Sequence, residues 1–158
     1  MNTMLDNNIP QHPPLPPCLA TKEDRREFIF GLEEAIKNEP TSADGDFLPL
    51  EHKFCDGMYV REIYIPSGML LTGKIHKHEH PNFLLQGTVT MITEDGGLIK
   101  MSAPQSLVSP AGCKRAIYTH TDVRWSTVHV TESKCPEEAV EQLTVASYEE
   151  FERYLEEN

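Results

Sequence analysis

Hydrophobic spacing along the chain changes twice and marks out three stretches. Between residues 22 and 38 apolar side chains recur at helical intervals, with Phe28, Leu32 and Ile36 at i, i+4 and i+8. Thr21 stands where a cap belongs, Asp24 follows three residues on as in a capping box, and Pro40 removes the next amide donor. From about 48 to 131 short runs rich in Val, Ile, Thr, Tyr and Phe alternate with turn residues. The predicted strands are 58–65, 69–77, 82–93, 97–102, 106–109, 114–119 and 123–131, with Asp95-Gly96 as a hairpin signal. Strands this short and closely spaced, without intervening helices, predict an all-β sandwich or barrel. After Pro136 the β pattern stops. Phe151, Tyr154 and Leu155 then fall at helical spacing behind Ser147 as cap, which predicts a short terminal helix docked on the outside.

The remaining segment, residues 1–20, holds five prolines and few apolar side chains, and reads as a disordered or polyproline-II arm. The expected organisation is therefore an arm over 1–20, a helix and linker over 21–47, a β domain over 48–135 and an acidic helix over 136–158.

A chain of 158 residues suits one core of this kind, burying about 70% of the surface its unfolded form exposes. The net charge of −11 argues against a nucleic-acid coat or an anionic membrane surface as partner. Much of that charge is local, because residues 137–158 carry eight glutamates against one arginine. The β domain is nearer neutral and leaves room for a positive pocket. No apolar run is long enough to span a bilayer, and the first residues lack the basic and apolar regions of a secretory signal. Four scattered cysteines without a C-x-x-C pair read as free thiols, so the expected location is cytoplasmic.

Histidine is the residue whose distribution carries chemistry. Five of seven lie between 76 and 129, three of them in the stretch G-K-I-H-K-H-E-H-P-N-F-L-L-Q-G over 73–87. Strand alternation places Lys74 and His76 on one face with Ile75 on the other, and a tight connection returns His80 beside His76. His78, within the connection, is expected in solvent. A surface accident is the plain alternative for such a cluster.

The same stretch resembles the first motif of the cupins, G-x5-H-x-H-x3,4-E-x6-G. The spacing fits on Gly68, Lys74, His76, His80 and Gly87, and the second motif, G-x5-P-x-G-x2-H-x3-N, falls on Pro104, Pro110, Gly112, Arg115 and Thr119. The resemblance covers roughly residues 50–131. The phrasing also looks like small cupin-like proteins encoded by bacteriophages. It implies a mainly β, double-stranded jelly-roll β-barrel, here with an N-terminal helix and a short acidic C-terminal helix. It also implies pairing of such domains into a homodimer.

Where the resemblance implies three histidines and a glutamate around a divalent metal, this chain substitutes Lys74, His80 and Arg115 and keeps only His76. Neither ammonium nor guanidinium has a lone pair to offer. Metal binding (Fe, Mn, Ni or Zn) then falls to His76 and His80, with His129 or His52 as a third nitrogen and Glu79 or Glu62 as rescuing acids. The cationic lining suggests instead a small anion, such as a phosphorylated or carboxylate metabolite or a nucleotide. Lys74, His76, His80, Arg115, Tyr118 and His129 are its candidate contacts, and Tyr64, Tyr118 and Trp125 supply an aromatic wall. The bland alternative pairs Arg115 with Glu62 in a filled barrel. Three functions follow in order: a binding module for a small anion, a cupin enzyme with or without metal, and a scaffold with a vestigial pocket.

Overall fold

The structure is a computed structural model that describes residues 16–42 and 47–158. The N-terminal arm up to residue 15 and linker residues 43–46 lie outside the described residues. Residues 16–20 do not continue an extended arm: Pro17–Leu19 form a 3₁₀ turn that buries Leu19. Helix α1 spans Lys22–Asn38, capped by Thr21 and Asp24 in a reciprocal capping box. Its buried face keeps Leu32 and Ile36 of the expected one, both partly buried, but not Phe28. Ile29 is buried and Leu32 packs beside it, while Phe28 is exposed.

Ten strands follow, β1 (Leu50–Cys55), β2 (Met58–Ile65), β3 (Leu70–Thr72), β4 (Ile75–His76), β5 (His80–Gln86), β6 (Thr88–Thr93), β7 (Gly97–Ser102), β8 (Gln105–Ser109), β9 (Arg115–Thr119) and β10 (Val123–Val130). Nine of them form a five-stranded antiparallel sheet, β1-β2-β10-β5-β8, and a four-stranded one, β3-β9-β6-β7, and β4 lies in neither. The core joins the two: Ile65, Leu84, Val123 and Trp125 from the first meet Val89, Met91, Met101 and Ile117 from the second. The sheets do not close into a barrel, so the barrel expectation is met only as two facing sheets. Helix α1 covers the outer face of the smaller sheet, where Leu19, Ile29, Ile92 and Ala116 form a second cluster.

Two predicted strands are broken by the chain crossing between sheets. The 82–93 run splits at Gly87, whose φ is +93° and whose added Cβ would lie 2.3 Å from the Asp122 carbonyl oxygen. The 69–77 run splits at Gly73-Lys74, leaving β3 in one sheet and β4 paired elsewhere.

The C-terminal region is richer than one helix. Helix α2 (Pro136–Leu143) leads into a short strand β11 (Thr144–Val145), which pairs with β4, and then into α3 (Tyr148–Glu157), capped by Ser147. Leu155, expected in the docking face, is 55% exposed. Tyr148 anchors the segment through a buried carboxylate: its hydroxyl donates to Glu94 Oε2 at 2.8 Å, and Arg26 of α1 donates to the same oxygen. Substituting Glu94→Gln keeps the volume but removes the charge both partners use. Chemical denaturation is expected to show a loss of about 1–2 kcal/mol; an unchanged midpoint would mean the node is dispensable.

Candidate functional site

Three imidazoles meet at one end of the two-sheet core. Asn82 stands opposite Thr127 in the β5–β10 ladder, and two residues further on His80 and His129 lie side by side with ring centroids 4.5 Å apart. The short strand β4 brings His76 to both, at 4.3 Å from the His80 ring and stacked on His129 at 5.2 Å. One nitrogen from each ring lies within 4.8 Å of the others, and among the described residues no carboxylate or thiol joins that group. His80 and His129 are buried.

Their hydrogen bonds decide which nitrogens face one another. His80 Nδ1 is 3.1 Å from the His78 carbonyl oxygen, an acceptor only, so Nδ1 carries the proton and Nε2 keeps its lone pair. That Nε2 is buried and has no partner. His129 Nε2 is 3.0 Å from Thr127 Oγ1. A hydrogen bond at one ring nitrogen with the other left to ligate is the arrangement metal-binding histidines use.

Burial, aided by the neighbouring positive groups, keeps the three rings neutral. His76 is pushed down to about 2, first by desolvation and then by His80, Arg115, His129 and Arg61. His129 falls to about 3 by desolvation, then His80, Arg115 and Arg61, and His80 is also lowered, chiefly by burial. Neutral imidazole is the ligating form.

Arg115 begins β9 with its side chain on the same face as Ile117, towards the core. Its guanidinium lies 5.1 Å over the Trp125 ring, and burial lowers its pKa to about 10. Nη1 is buried without a hydrogen-bond partner, and among the described residues Arg115 makes no ion pair. The expected pairing with Glu62 does not form. Glu62 points to the outer face of the larger sheet, where Arg124 and Tyr64 donate to it. Alternation turns its neighbour Arg61 inward with Tyr59 and Ile65, and Arg61 adds positive potential at His76, His129 and Arg115.

Two proposed contacts lie elsewhere. Lys74 is exposed in an outer groove of about 510 Å³, with Lys37, Lys114, Glu141 and Glu150, because it sits between β3 and β4 and strand alternation does not govern it. Tyr118 is on the face of β9 turned from the core, 42% exposed and edge-on to His120. Tyr64 is likewise on the outer face of its sheet beside Glu62. His52 is exposed and bonds the Tyr59 hydroxyl at 2.7 Å, and Glu79 and His78 are exposed. Of the aromatic wall only Trp125 reaches the site, fixed by its Nε1 donating to Asn82 at 3.2 Å. Sequence reasoning missed Asn82, on an inward position of β5, and left open which of Glu62 and Arg61 faces inward; the structure turns Arg61 in. It also passed over Lys114, a buried cation that ties α1 to the sheet through Glu33 at 2.9 Å and the Gly73 carbonyl at 2.8 Å.

No helix among the described residues is long and apolar enough to cross a membrane. No protein-family model matches the chain, and no curated protein matches it. Among solved structures it is similar to a cupin superfamily protein from Desulfitobacterium hafniense, at 15% identity over 79% of this chain and 96% of that one, with a TM-score of 0.47. It is similar also to the cupin domain of a Schizosaccharomyces pombe protein, at 16% identity over 60% and 70% of the two chains and a TM-score of 0.46. An RmlC-like cupin family protein with a double-stranded β-helix fold from Methanocaldococcus jannaschii shares 14% identity over 56% and 84%, with a TM-score of 0.45. These likenesses concern the fold alone.

Proposed function

We propose that the chain is a small-molecule-binding protein that takes an anionic ligand on Arg115 beside a divalent metal held by His76, His80 and His129. The observation that supports this reading is the pair of buried, unpartnered atoms, His80 Nε2 and Arg115 Nη1. A buried polar group without a partner costs about 1–3 kcal/mol, more when charged, and such groups persist where something else satisfies them. The lone pair asks for a metal or a proton donor, and the guanidinium asks for a carboxylate or phosphate.

The donor set fits a divalent transition metal: three neutral imidazoles suit Zn, Fe, Ni or Cu and leave coordination open. When bound, such an ion supplies Lewis acidity and positive charge. The protein supplies the rest. Thr127 and the His78 carbonyl orient two rings, Trp125 supports the flat face of Arg115, and the core excludes water. Three neutral ligands beside a guanidinium leave the centre strongly positive, so a ligand entering it must be an anion. Binding is favoured over a metal-free epimerase or isomerase. An imidazole held at about 2, as His76 is, makes a poor general base at neutral pH. A metal-dependent reaction remains a second reading, supported by the count of three ligands.

Thermal-shift titration with oxalate, malonate, inorganic phosphate and a sugar phosphate, with and without added zinc, tests the reading. At least one anion is expected to stabilise the wild type, more so with zinc. Arg115→Ala should remove that shift and Lys134→Ala, at an exposed position, should keep it. Equal responses in the two variants would contradict the assignment.

A further inference from the structure

Of the three histidines, His76 has the least local support. Strand β4 is two residues long, and its neighbours in sequence, Gly73-Lys74 and the turn at Lys77–Glu79, are not in either large sheet. What holds β4 comes from the other end of the chain. Thr144 and Val145 pair with His76 and Ile75, the Lys77 amide donates to the Leu143 carbonyl at 2.8 Å, and Lys77 Nζ reaches the Glu141 carbonyl at 3.3 Å. On the other side of His76 the Gly112 amide donates to the His76 carbonyl at 2.8 Å. Gly112 in turn is covered by Phe151 of α3, so closely that a Cβ there would lie 2.5 Å from the ring. Tyr154, one turn on, stands edge-on to His78 and beneath the Lys77 ammonium.

We infer that the C-terminal segment α2–β11–α3 is the clamp that positions His76, with Phe151 and Tyr154 as its positioning residues, so that docking of this segment completes the three-histidine centre. The other two ligands do not depend on it. His80, paired with Ser109 of β8, and His129, paired with Tyr59 of β2, ride on long strands of the five-stranded sheet, apart from the segment. Loosening the clamp therefore removes one ligand of three and leaves the other two in place. By linkage, a metal that binds all three must also strengthen docking of the segment. The metal arm of this inference rests on the proposed function; the positioning of His76 does not.

The full-length variants Phe151→Ser/Tyr154→Ser and, separately, Gly112→Ala are compared with wild type. Gly112→Ala crowds the Phe151 ring from the opposite side of the same contact and also strains the backbone at φ +78°. Retained near-ultraviolet circular dichroism from Trp125 shows that the core of either variant is folded. Histidine labelling by diethyl pyrocarbonate, read by mass spectrometry, is expected to modify His76 in the variants and not in wild type, with His80 and His129 protected in all three proteins. Cobalt(II) titration is expected to show about tenfold weaker binding and a changed visible spectrum in the variants. In an His76→Ala background the clamp substitutions should add nothing to that loss. His76 equally protected in wild type and in a folded variant would overturn the inference, as would an undiminished cobalt affinity. If wild type takes up no cobalt, the metal reading fails, and the labelling result still decides whether the segment positions His76.

Discussion

Between pH 6.5 and 3 the metal-free protein is expected to lose stability steeply. His76 and His129 are held near 2 and 3 mainly by burial, whereas in the unfolded chain each titrates near the ordinary value of about 6.5. Above about pH 6.5 both states leave these rings neutral and the histidines cost nothing. As pH falls below that value the unfolded chain takes up two protons that the native fold refuses, and unfolding becomes easier. Each refused proton contributes about 1.4 kcal/mol per pH unit, so the pair supplies a slope approaching about 2.7 kcal/mol per unit until the native pKa values are reached. His80 acts in the same direction. Urea denaturation at half-unit pH steps measures the slope, and a His76→Phe/His129→Phe variant should flatten it. A wild-type curve already flat from pH 6.5 to 4 would mean the three rings are solvated rather than packed together.

Arg115→Met is expected to have opposite effects on the empty and the filled protein. Without ligand, the substitution removes a buried guanidinium whose Nη1 has no acceptor and puts an apolar side chain of similar length over Trp125. The metal- and anion-free fold should gain about 1–3 kcal/mol. The anion response should disappear, because the buried guanidinium with an unpartnered N–H is gone. A structural arginine gives the reverse sign, with Arg115→Met destabilising the free fold as the loss of a bound group does. Paired denaturation curves with and without the stabilising anion separate the two accounts.

Period and punctuation made much of this legible from the chain. The 22–38 helix follows from its cap and from Pro40, and the antiparallel sheets follow from short alternating runs with Gly-rich turns. His76, His80 and His129 could be nominated because they sit where strands begin or end. What alternation could not supply was the crossing of the chain between sheets. Reading 69–77 as one strand put Lys74 on the face of His76, but the run breaks at Gly73-Lys74 and Lys74 leaves for the outer groove. Tyr118 is a candidate contact as part of an aromatic wall, yet its odd offset from the inward Arg115 points it out. The pairing of Glu62 with Arg124 rather than Arg115 depends on which sheet faces solvent, and no local pattern encodes that. Strand β11 was invisible for a related reason: two residues have no period, and their partner lies far back in the chain.

Equilibrium dialysis of untagged protein against zinc, with metal counted per chain, measures whether the three histidines form one metal centre. One zinc per wild-type chain is expected, with a loss of at least about 100-fold in affinity when His76, His80 or His129 is replaced singly by alanine. His52→Ala and His120→Ala should bind as wild type does, since both rings are exposed and lie outside the cluster. Substoichiometric zinc on the wild type, or zinc that survives each of the three cluster substitutions, would contradict it.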